Sequence, residues 1–134
     1  MIIDSTLLDT ISQKAKDNLR LRQNFDLRNN EEDNSQRMLN ALEPGTVMPI
    51  HRHRNSSETM IVVKGSLKEY FYDDQGNVIG EWVCAPNTDC IGINIPAGQW
   101  HNLVCLESGT VLFESKDGLW SPLADEDILH PDRL

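Results

Sequence analysis

Apolar residues near the start of the chain recur at spacings of three and four positions, which is the period of a helix with one apolar face. These residues are Leu8, Ile11, Ala15 and Leu19. Asp4 or Ser5 is a suitable N-cap, because either side chain can accept a hydrogen bond from the first turn. The pattern therefore predicts a helix that ends near Asn18, followed by a polar segment in which RNNEEDNS (28–35) is typical of a loop.

After residue 35 the pattern changes to short apolar or alternating runs that end at glycine, proline or polar turn residues. One of these turns, DDQGN (73–77), is typical of a β-hairpin. The predicted strands cover residues 37–44, 59–64, 66–73, 78–84, 91–95, 101–107 and 110–116. No run of helical period interrupts them, so the pattern predicts a mainly β sandwich or barrel and disfavours a parallel α/β sheet. A short helical turn is expected at 124–129, within a polar tail.

Length and charge narrow the class of protein. A chain of 134 residues is long enough for one domain with its own hydrophobic core. Its 21 acidic and 12 basic residues give a net charge of -9, which repels phosphate backbones and anionic lipids. We therefore expect neither a nucleic acid nor a membrane as partner. No apolar run approaches the about 20 residues of a bilayer span, and the first residues lack the basic region of a signal peptide, so we expect a cytoplasmic protein.

The three cysteines are Cys84, Cys90 and Cys105. Their odd number and the lack of C-x-x-C spacing argue against a disulfide framework and against a thiolate zinc site. We expect them to be reduced, partly buried residues that pack as small hydrophobic side chains. Any chemical role is left open.

Two of the four histidines lie one residue apart in HRHRNSSE (51–58). An isolated H-x-H is weak evidence for a site, but here it lies within GTVMPIHRHRNSSETMIVVKG (45–65), and PAGQWH (96–101) follows later in the chain. These two blocks resemble the two sequence motifs of the cupin superfamily. The resemblance implies a cupin-type double-stranded β-helix, a jelly-roll barrel, with a short N-terminal α-helix in front of it.

Strand geometry independently brings the same side chains together. Alternate residues of a strand share a face, so His51 and His53 can both point inward. A turn over residues 54–57 would return Glu58 beside them, and His101 would complete the set from a later strand. Three imidazoles and one carboxylate are a typical ligand set for Fe, Mn, Ni, Cu or Zn. We therefore expect these four residues to bind one divalent transition metal and to leave coordination positions open, as in a catalytic site.

A more specific resemblance covers most of the chain. SQRMLNALEPGTVMPIHRHRNSSET (35–59) is similar to the WbuC family of cupin-fold metalloproteins, and so are RLRQNFDL (20–27) and LESGTVLFESKDG (106–118). The resemblance implies a setting among genes for O-antigen and other surface polysaccharides. It implies no particular reaction.

Six further residues are candidates for contacts with a substrate. They are Arg22, Arg37, Asn40, Tyr70, Tyr72 and Trp100. Arginine can bind a phosphate or carboxylate with two parallel hydrogen bonds, and aromatic rings can stack on a sugar. Arg37 and Asn40 are three positions apart, so on a regular strand at most one of them faces the cavity. For the aromatic residues, simple packing is the competing explanation, above all for Trp100, which should point away from His101.

The sequence predicts a single domain over 1–134, with the N-terminal helix and loop at 1–34, the jelly-roll barrel at 35–118 and the tail at 119–134. The first functional hypothesis is an enzyme that isomerises or epimerises a small polar molecule such as a sugar or sugar nucleotide, or an oxygenase if the metal is iron. No second general base is evident, so the reaction class stays open. The alternatives are a non-catalytic metal-dependent binding or sensing module and a metal-free structural jelly roll. The expected partner is a small molecule, and a homodimer is left open.

Overall fold

The computed structural model describes residues 1–133. Within them lie helix α1 (Ser5–Asp17) and two antiparallel sheets, with two short 3-10 turns (Asp125–Asp127 and Pro131–Arg133) near the end. The strands are β1 (Arg22–Asp26), β2 (Ser35–Leu42), β3 (Glu58–Lys64), β4 (Leu67–Tyr72), β5 (Val78–Cys84), β6 (Gly92–Ile95), β7 (Trp100–Cys105) and β8 (Thr110–Asp117). Their order is β1-β2-β8-β3-β6 in one sheet and β5-β4-β7 in the other. The mainly β fold is therefore confirmed.

Helix α1 follows the predicted pattern up to its last turn. The carboxylate of Asp4 accepts a hydrogen bond from the Leu7 N–H at 3.0 Å, and the helix ends at Asp17 with Asn18 as its C-cap. Ile11 and Ala15 are buried against β2 and β8. The prediction that Leu19 continues the apolar stripe is wrong, because the helix has ended before this residue and its side chain is fully exposed.

Strand β1 lies within the polar segment for which no strand was predicted. It pairs antiparallel with β2, from Arg22 opposite Leu42 to Asp26 opposite Met38. Its sequence, RQNFD, has one apolar residue, Phe25, so it lacks the alternation that marks a half-buried strand. The strand forms because β2 supplies its hydrogen-bonding partners, a long-range contact that the local pattern does not reveal.

The later strands agree with the predicted ones except for shifts of a residue or two at their ends, and the predicted helical turn in the tail is confirmed as the 3-10 turn Asp125–Asp127. The main core fills the space between the two sheets. Its buried residues are Leu42, Met60, Val62, Leu67, Cys84, Leu103, Cys105 and Leu112. Glu58 on β3 and His101 on β7 continue the inward faces of their strands beyond this core. No helix in residues 1–133 is long and apolar enough to cross a membrane.

Candidate metal centre

Three of the four histidines converge where the segment before β3 meets the start of β7. His51 and His101 exchange two backbone hydrogen bonds, with N···O distances of 3.0 and 2.9 Å. The ring centroids of His51 and His53 are 5.1 Å apart, and those of His51 and His101 are 4.3 Å apart. One ring nitrogen from each of the three lies within 4.8 Å of the others. The three histidines can therefore hold a metal ion.

The backbone around the first two histidines differs from the expected strand. His51 forms only isolated antiparallel bridges, one with His101 and one with Ile128. His53 lies outside the strands, in the segment before β3. The expectation that a regular strand carries both residues is therefore wrong, although the two imidazoles converge as that geometry would require.

Backbone carbonyls fix the tautomer of two of these imidazoles. Nδ1 of His51 lies 2.9 Å from the carbonyl oxygen of Pro49, and Nδ1 of His101 lies 2.9 Å from that of Gln99. A carbonyl oxygen only accepts hydrogen bonds, so each Nδ1 carries the proton and each Nε2 keeps a free lone pair. Burial, helped by the neighbouring charge of His101, lowers the pKa of His51 to about 4, and burial also lowers the pKa of His101. Both rings are therefore neutral near pH 7, the form that binds metal.

The third imidazole is held between a lysine and a carboxylate. Nζ of Lys116 lies 3.2 Å from Nδ1 of His53, and Nε2 of His53 lies 2.9 Å from Oε2 of Glu58. An ammonium group only donates, so Nδ1 of His53 accepts from Lys116 and its Nε2–H donates to Glu58. Burial acts to raise the pKa of Glu58, but the hydrogen bond from His53 and the interactions with His101 and Lys116 outweigh it and hold the pKa at about 2. An ionised carboxylate therefore lies against the histidine cluster, where it complements a cation.

The histidines line a cavity of about 540 Å³ between the two sheets. This volume lies in the range typical of small-molecule sites. Both sheets contribute walls, with Asn40 on β2 and Glu114 on β8 from one sheet and Glu69 on β4 and Leu103 on β7 from the other. The cluster therefore opens into a space that a small molecule can occupy.

Residues 3–84 match the model of the DUF6016 family, described as a domain of unknown function, and they make up more than half of the chain. The chain belongs to this family. Among curated proteins, none matches the chain.

Solved structures show the same fold. CapF from Staphylococcus aureus, a capsular polysaccharide assembling protein, is 24% identical with a TM-score of 0.58, over 67% of this chain and 24% of that one. KdgF from Halomonas sp. is 14% identical with a TM-score of 0.60, over 74% of this chain and 82% of that one. Oxalate oxidase is 20% identical with a TM-score of 0.58, over 72% of this chain and 51% of that one. The chain spans about a quarter of the CapF chain. At these identities the likeness shows the cupin fold alone, which confirms the jelly roll expected from the two motifs.

Two of the six residues predicted to contact a substrate line the cavity, namely Arg22 and Asn40. Arg37 does not. It points to the other side of β2 from Asn40, as their spacing predicts, and its guanidinium pairs with Asp33 at 3.1 Å.

The three aromatic candidates also lie outside the cavity lining, because their strand positions alternate with inward-facing residues. On β4, Tyr70 and Tyr72 alternate with the buried Leu67 and Glu69, and the Tyr72 hydroxyl donates to Oδ1 of Asn102 at 2.7 Å. On β7, Trp100 precedes the inward His101, and its indole N–H donates to Asp74 at 3.0 Å. Trp100 is therefore a buried packing residue and not a platform for a sugar.

The cavity wall also contains two carboxyl groups that the sequence pattern did not predict, those of Glu69 and Glu114. Glu69 on β4 is 1% exposed, and burial, reinforced by the charges of Glu58 and Glu114, raises its pKa to about 9. Burial, reinforced by Glu58, raises the pKa of Glu114 on β8 to about 8. The sequence carries only a weak signal for them, namely an acidic residue that alternates with a leucine, Glu69 with Leu67 on one strand and Glu114 with Leu112 on the other. No second general base was evident in the sequence, and the structure adds these two buried carboxyl groups to the lining of the cavity.

The C-terminal segment also reaches the cavity, through Trp120, Ser121, Pro122 and Leu123. Farther along, Asp127 accepts hydrogen bonds from the guanidinium groups of both Arg52 and Arg54. The Leu129 N–H donates to the Ile50 carbonyl at 2.8 Å. The tail is thus attached to the segment that carries His51 and His53.

Proposed function

We propose that the protein is a metal-dependent cupin that chemically transforms a small polar molecule of the sugar class. The observation that carries the proposal is the pair of neutral imidazoles, His51 and His101, whose Nε2 lone pairs are kept free by backbone carbonyls beside the His53–Glu58 pair. Hydrogen bonds of this kind orient and tune metal-ligating histidines.

In this proposal the metal ligands are His51, His53, Glu58 and His101, and the metal is Fe, Mn, Ni, Cu or Zn. The donor set fits such an ion, because it offers three imidazoles and one ionised carboxylate. A cation would replace the proton that His53 and Glu58 share. When bound, the metal supplies Lewis acidity that polarises a carbonyl or hydroxyl oxygen of the substrate.

Two residues in the cavity wall, Glu69 and Glu114, favour a catalysed reaction over binding alone. Glu69 and Glu114 hold protonated carboxyl groups near neutral pH, since burial raises the pKa of each well above its ordinary value. Strongly shifted acids in a cavity are typical of proton transfer sites. In an isomerisation or epimerisation, such a carboxyl would hold the proton that is delivered to the substrate.

The sugar context rests on the resemblance of residues 35–59 to the WbuC family. CapF, by its own description a capsular polysaccharide assembling protein, shares the fold and is consistent with that context.

The proposal is tested by loading the purified protein with each of the five metals and incubating it with a panel of sugars and sugar nucleotides in D2O. Proton NMR would then show conversion or exchange of a carbon-bound hydrogen for deuterium. We expect this change with the wild-type protein and with His130→Ala, whose histidine lies outside the site, and its loss in His101→Ala. A ligand that binds tightly and never changes would instead identify a binding module.

A further inference from the structure

Two buried polar atoms in the cavity wall lack a hydrogen-bond partner within residues 1–133, namely Oδ1 of Asn40 and Oε1 of Glu69. One other such atom occurs in the described residues, Oγ of Ser12 on α1, and Ser12 does not line the cavity. Buried polar groups are nearly always hydrogen-bonded, because an unpaired one has lost its hydration without compensation. Two unpaired atoms in one cavity therefore indicate contacts that a bound molecule completes.

The two unpaired atoms belong to side chains of different sheets, and the Asn40 side chain has a separate hydrogen bond with Glu114. Asn40 lies on β2 of the five-stranded sheet, and Glu69 lies on β4 of the three-stranded sheet. A molecule in the cavity between the sheets can therefore contact both walls. An amide oxygen accepts hydrogen bonds, and a protonated carboxyl both donates and accepts them. Hydroxyl groups satisfy both sites, because each hydroxyl can donate and accept.

An arginine pair lines the same cavity. Arg20 and Arg22 both border it, and within residues 1–133 neither forms an ion pair with a carboxylate. Burial, and then the charge of Arg20, lowers the pKa of Arg22, as expected for neighbouring cations. In a chain of net charge -9, most arginines would be expected to find an acidic partner. Two guanidinium groups without one are suited to an anion.

The register of the five-stranded sheet sets the distance between Arg22, which would contact the anionic group, and Asn40, which would contact a hydroxyl group. Asn24 of β1 lies opposite Asn40 of β2, and Arg22 lies opposite Leu42. Arg22 and Asn40 are therefore diagonal neighbours on one face of the sheet, roughly 7–8 Å apart between their backbones. This separation suits one small molecule that carries an anionic group at one end and hydroxyl groups at the other.

We propose that the cavity binds a small hydroxylated anion, a sugar acid or a sugar phosphate, with its anionic group at Arg20 and Arg22 and its hydroxyl groups at Asn40 and Glu69. Such a molecule would be the substrate of the proposed metal site, so this inference rests on the proposed function. Carboxylate and phosphate share the recognition chemistry, and the two sources are separated by the probes.

The test is calorimetric titration of three probes into metal-loaded and metal-free protein. D-gluconate is the sugar acid, D-glucose 6-phosphate is the sugar phosphate, and D-glucose is the neutral reference. We expect at least one anionic probe to bind at least about 10-fold more tightly than glucose, since hydrogen bonds to charged groups contribute factors of this size. If only gluconate binds more tightly than glucose, the ligand is a carboxylate. If only glucose 6-phosphate does so, the ligand is a phosphate. Either result supports the proposal.

The arginine contact is tested with Arg20→Gln and Arg22→Gln, each matched by Arg37→Gln, which changes an arginine outside the cavity. We expect each of the first two to reduce the preference for the anion about 10-fold, and Arg37→Gln to leave it unchanged. The hydroxyl contact is tested with Glu69→Leu, which should weaken binding about 10-fold, and Glu69→Gln, which keeps a neutral hydrogen-bonding group and should stay within about 3-fold of wild type.

Metal content is measured on the same samples, so that failure of this proposal is distinct from failure of the metal site. We expect Arg20→Gln and Glu69→Leu to retain the wild-type metal content. Equal binding of glucose and both anions, binding of none of the three probes, or wild-type affinity in Glu69→Leu would overturn the proposal. A protein that discriminates anions through Arg20 and Arg22 without holding metal would support this inference and refute the metal-dependent function.

Discussion

The carbonyl oxygens of Pro49 and Gln99 determine which ring nitrogen is free in His51 and His101. The convergence of the three histidines and Glu58 could be predicted from the sequence, because the block that carries HRHRNSSE and the later PAGQWH resemble the two cupin motifs. The carbonyl contacts could not be predicted, since each joins a histidine to the carbonyl two residues before it and depends on the side-chain conformation of that histidine.

Glu69 and Glu114 were not predicted for a different reason. An acidic residue in an alternating strand is ordinary when its face is exposed, and the local sequence of SLKEYFYD does not show which face is buried. Only the packing of the two sheets places Glu69 at 1% exposure. The same packing is what raises the pKa of its carboxyl to about 9.

This raised pKa makes the free energy of unfolding fall as pH rises. Below the ordinary pKa of about 4.5, Glu69 is protonated in both states and its contribution is fully present. As pH rises, the unfolded chain releases its proton while the folded protein keeps it, so the free energy of unfolding falls until the pH passes about 9.

We expect Glu69→Gln to remove this contribution in the metal-free protein. The difference in unfolding free energy between variant and wild type should grow by a few kcal/mol, on the order expected from linkage, between about pH 5 and about pH 8 in denaturant titrations. Glu81→Gln, on the exposed face of β5, is the matched control and should keep the wild-type slope. An unchanged slope in Glu69→Gln would contradict the account.

Among the elements, the strands with clear alternation and flanking turns were predictable, whereas β1 was not. The polar residues of RQNFD carry no signal of their own, and the strand depends on pairing with residues 38–42 of β2. Yet β1 carries Arg22 and Asn24 to the cavity. A part of the candidate site therefore could not be located from local pattern.

The turn between β3 and β4 depends on Gly65. This residue has a φ of +80°, and an added Cβ would overlap Thr110 on β8. We expect Gly65→Ala to lower the free energy of unfolding by about 3 kcal/mol or more, since it adds a steric conflict to an unfavourable backbone conformation. Gly109→Ala is the matched control.

Gly109 has the same φ of +80° but open space around its Cβ position. We expect Gly109→Ala to lower the free energy of unfolding by only about 1 kcal/mol, because only the unfavourable backbone conformation contributes. Both values are measured by urea denaturation. Equal losses in the two variants would show that crowding against Thr110 does not matter.

Asp127 attaches the tail to the segment that carries His51 and His53, because its carboxylate contacts Arg52 and Arg54. We expect Asp127→Asn to speed hydrogen exchange of the Leu129 N–H, which bonds to Ile50, while exchange in the core strands stays unchanged. Asp125→Asn is the control, because the ion pairs that the Asp125 side chain forms within residues 1–133 are with residues of the tail itself, His130 and Arg133. Equal exchange in both variants would contradict this attachment.

At the scale of the whole molecule, the charge of the cavity lining differs from the net charge of the chain. The chain carries a net charge of -9, yet its cavity holds Arg20, Arg22 and Lys116 beside carboxyl groups of which two have strongly raised pKa values. The net charge is the basis for the prediction that polyanions are not partners, and the cations of the cavity are the basis for the proposed small anion. Net charge could be counted from the sequence, but the cations of the cavity became evident only once the fold placed Arg20 and Arg22 in the same cavity as the histidines.

The central claim is that this barrel holds one metal ion through His51, His53, Glu58 and His101. The most direct measurement is elemental analysis of protein that has been stripped with a chelator, reloaded with each candidate metal and dialysed. We expect about one equivalent of metal in the wild-type protein and in His130→Ala. Glu58→Ala should retain clearly less metal, and His101→Ala should retain no metal. A wild-type protein that retains no metal, or a His101→Ala variant that retains as much as wild type, would contradict the account.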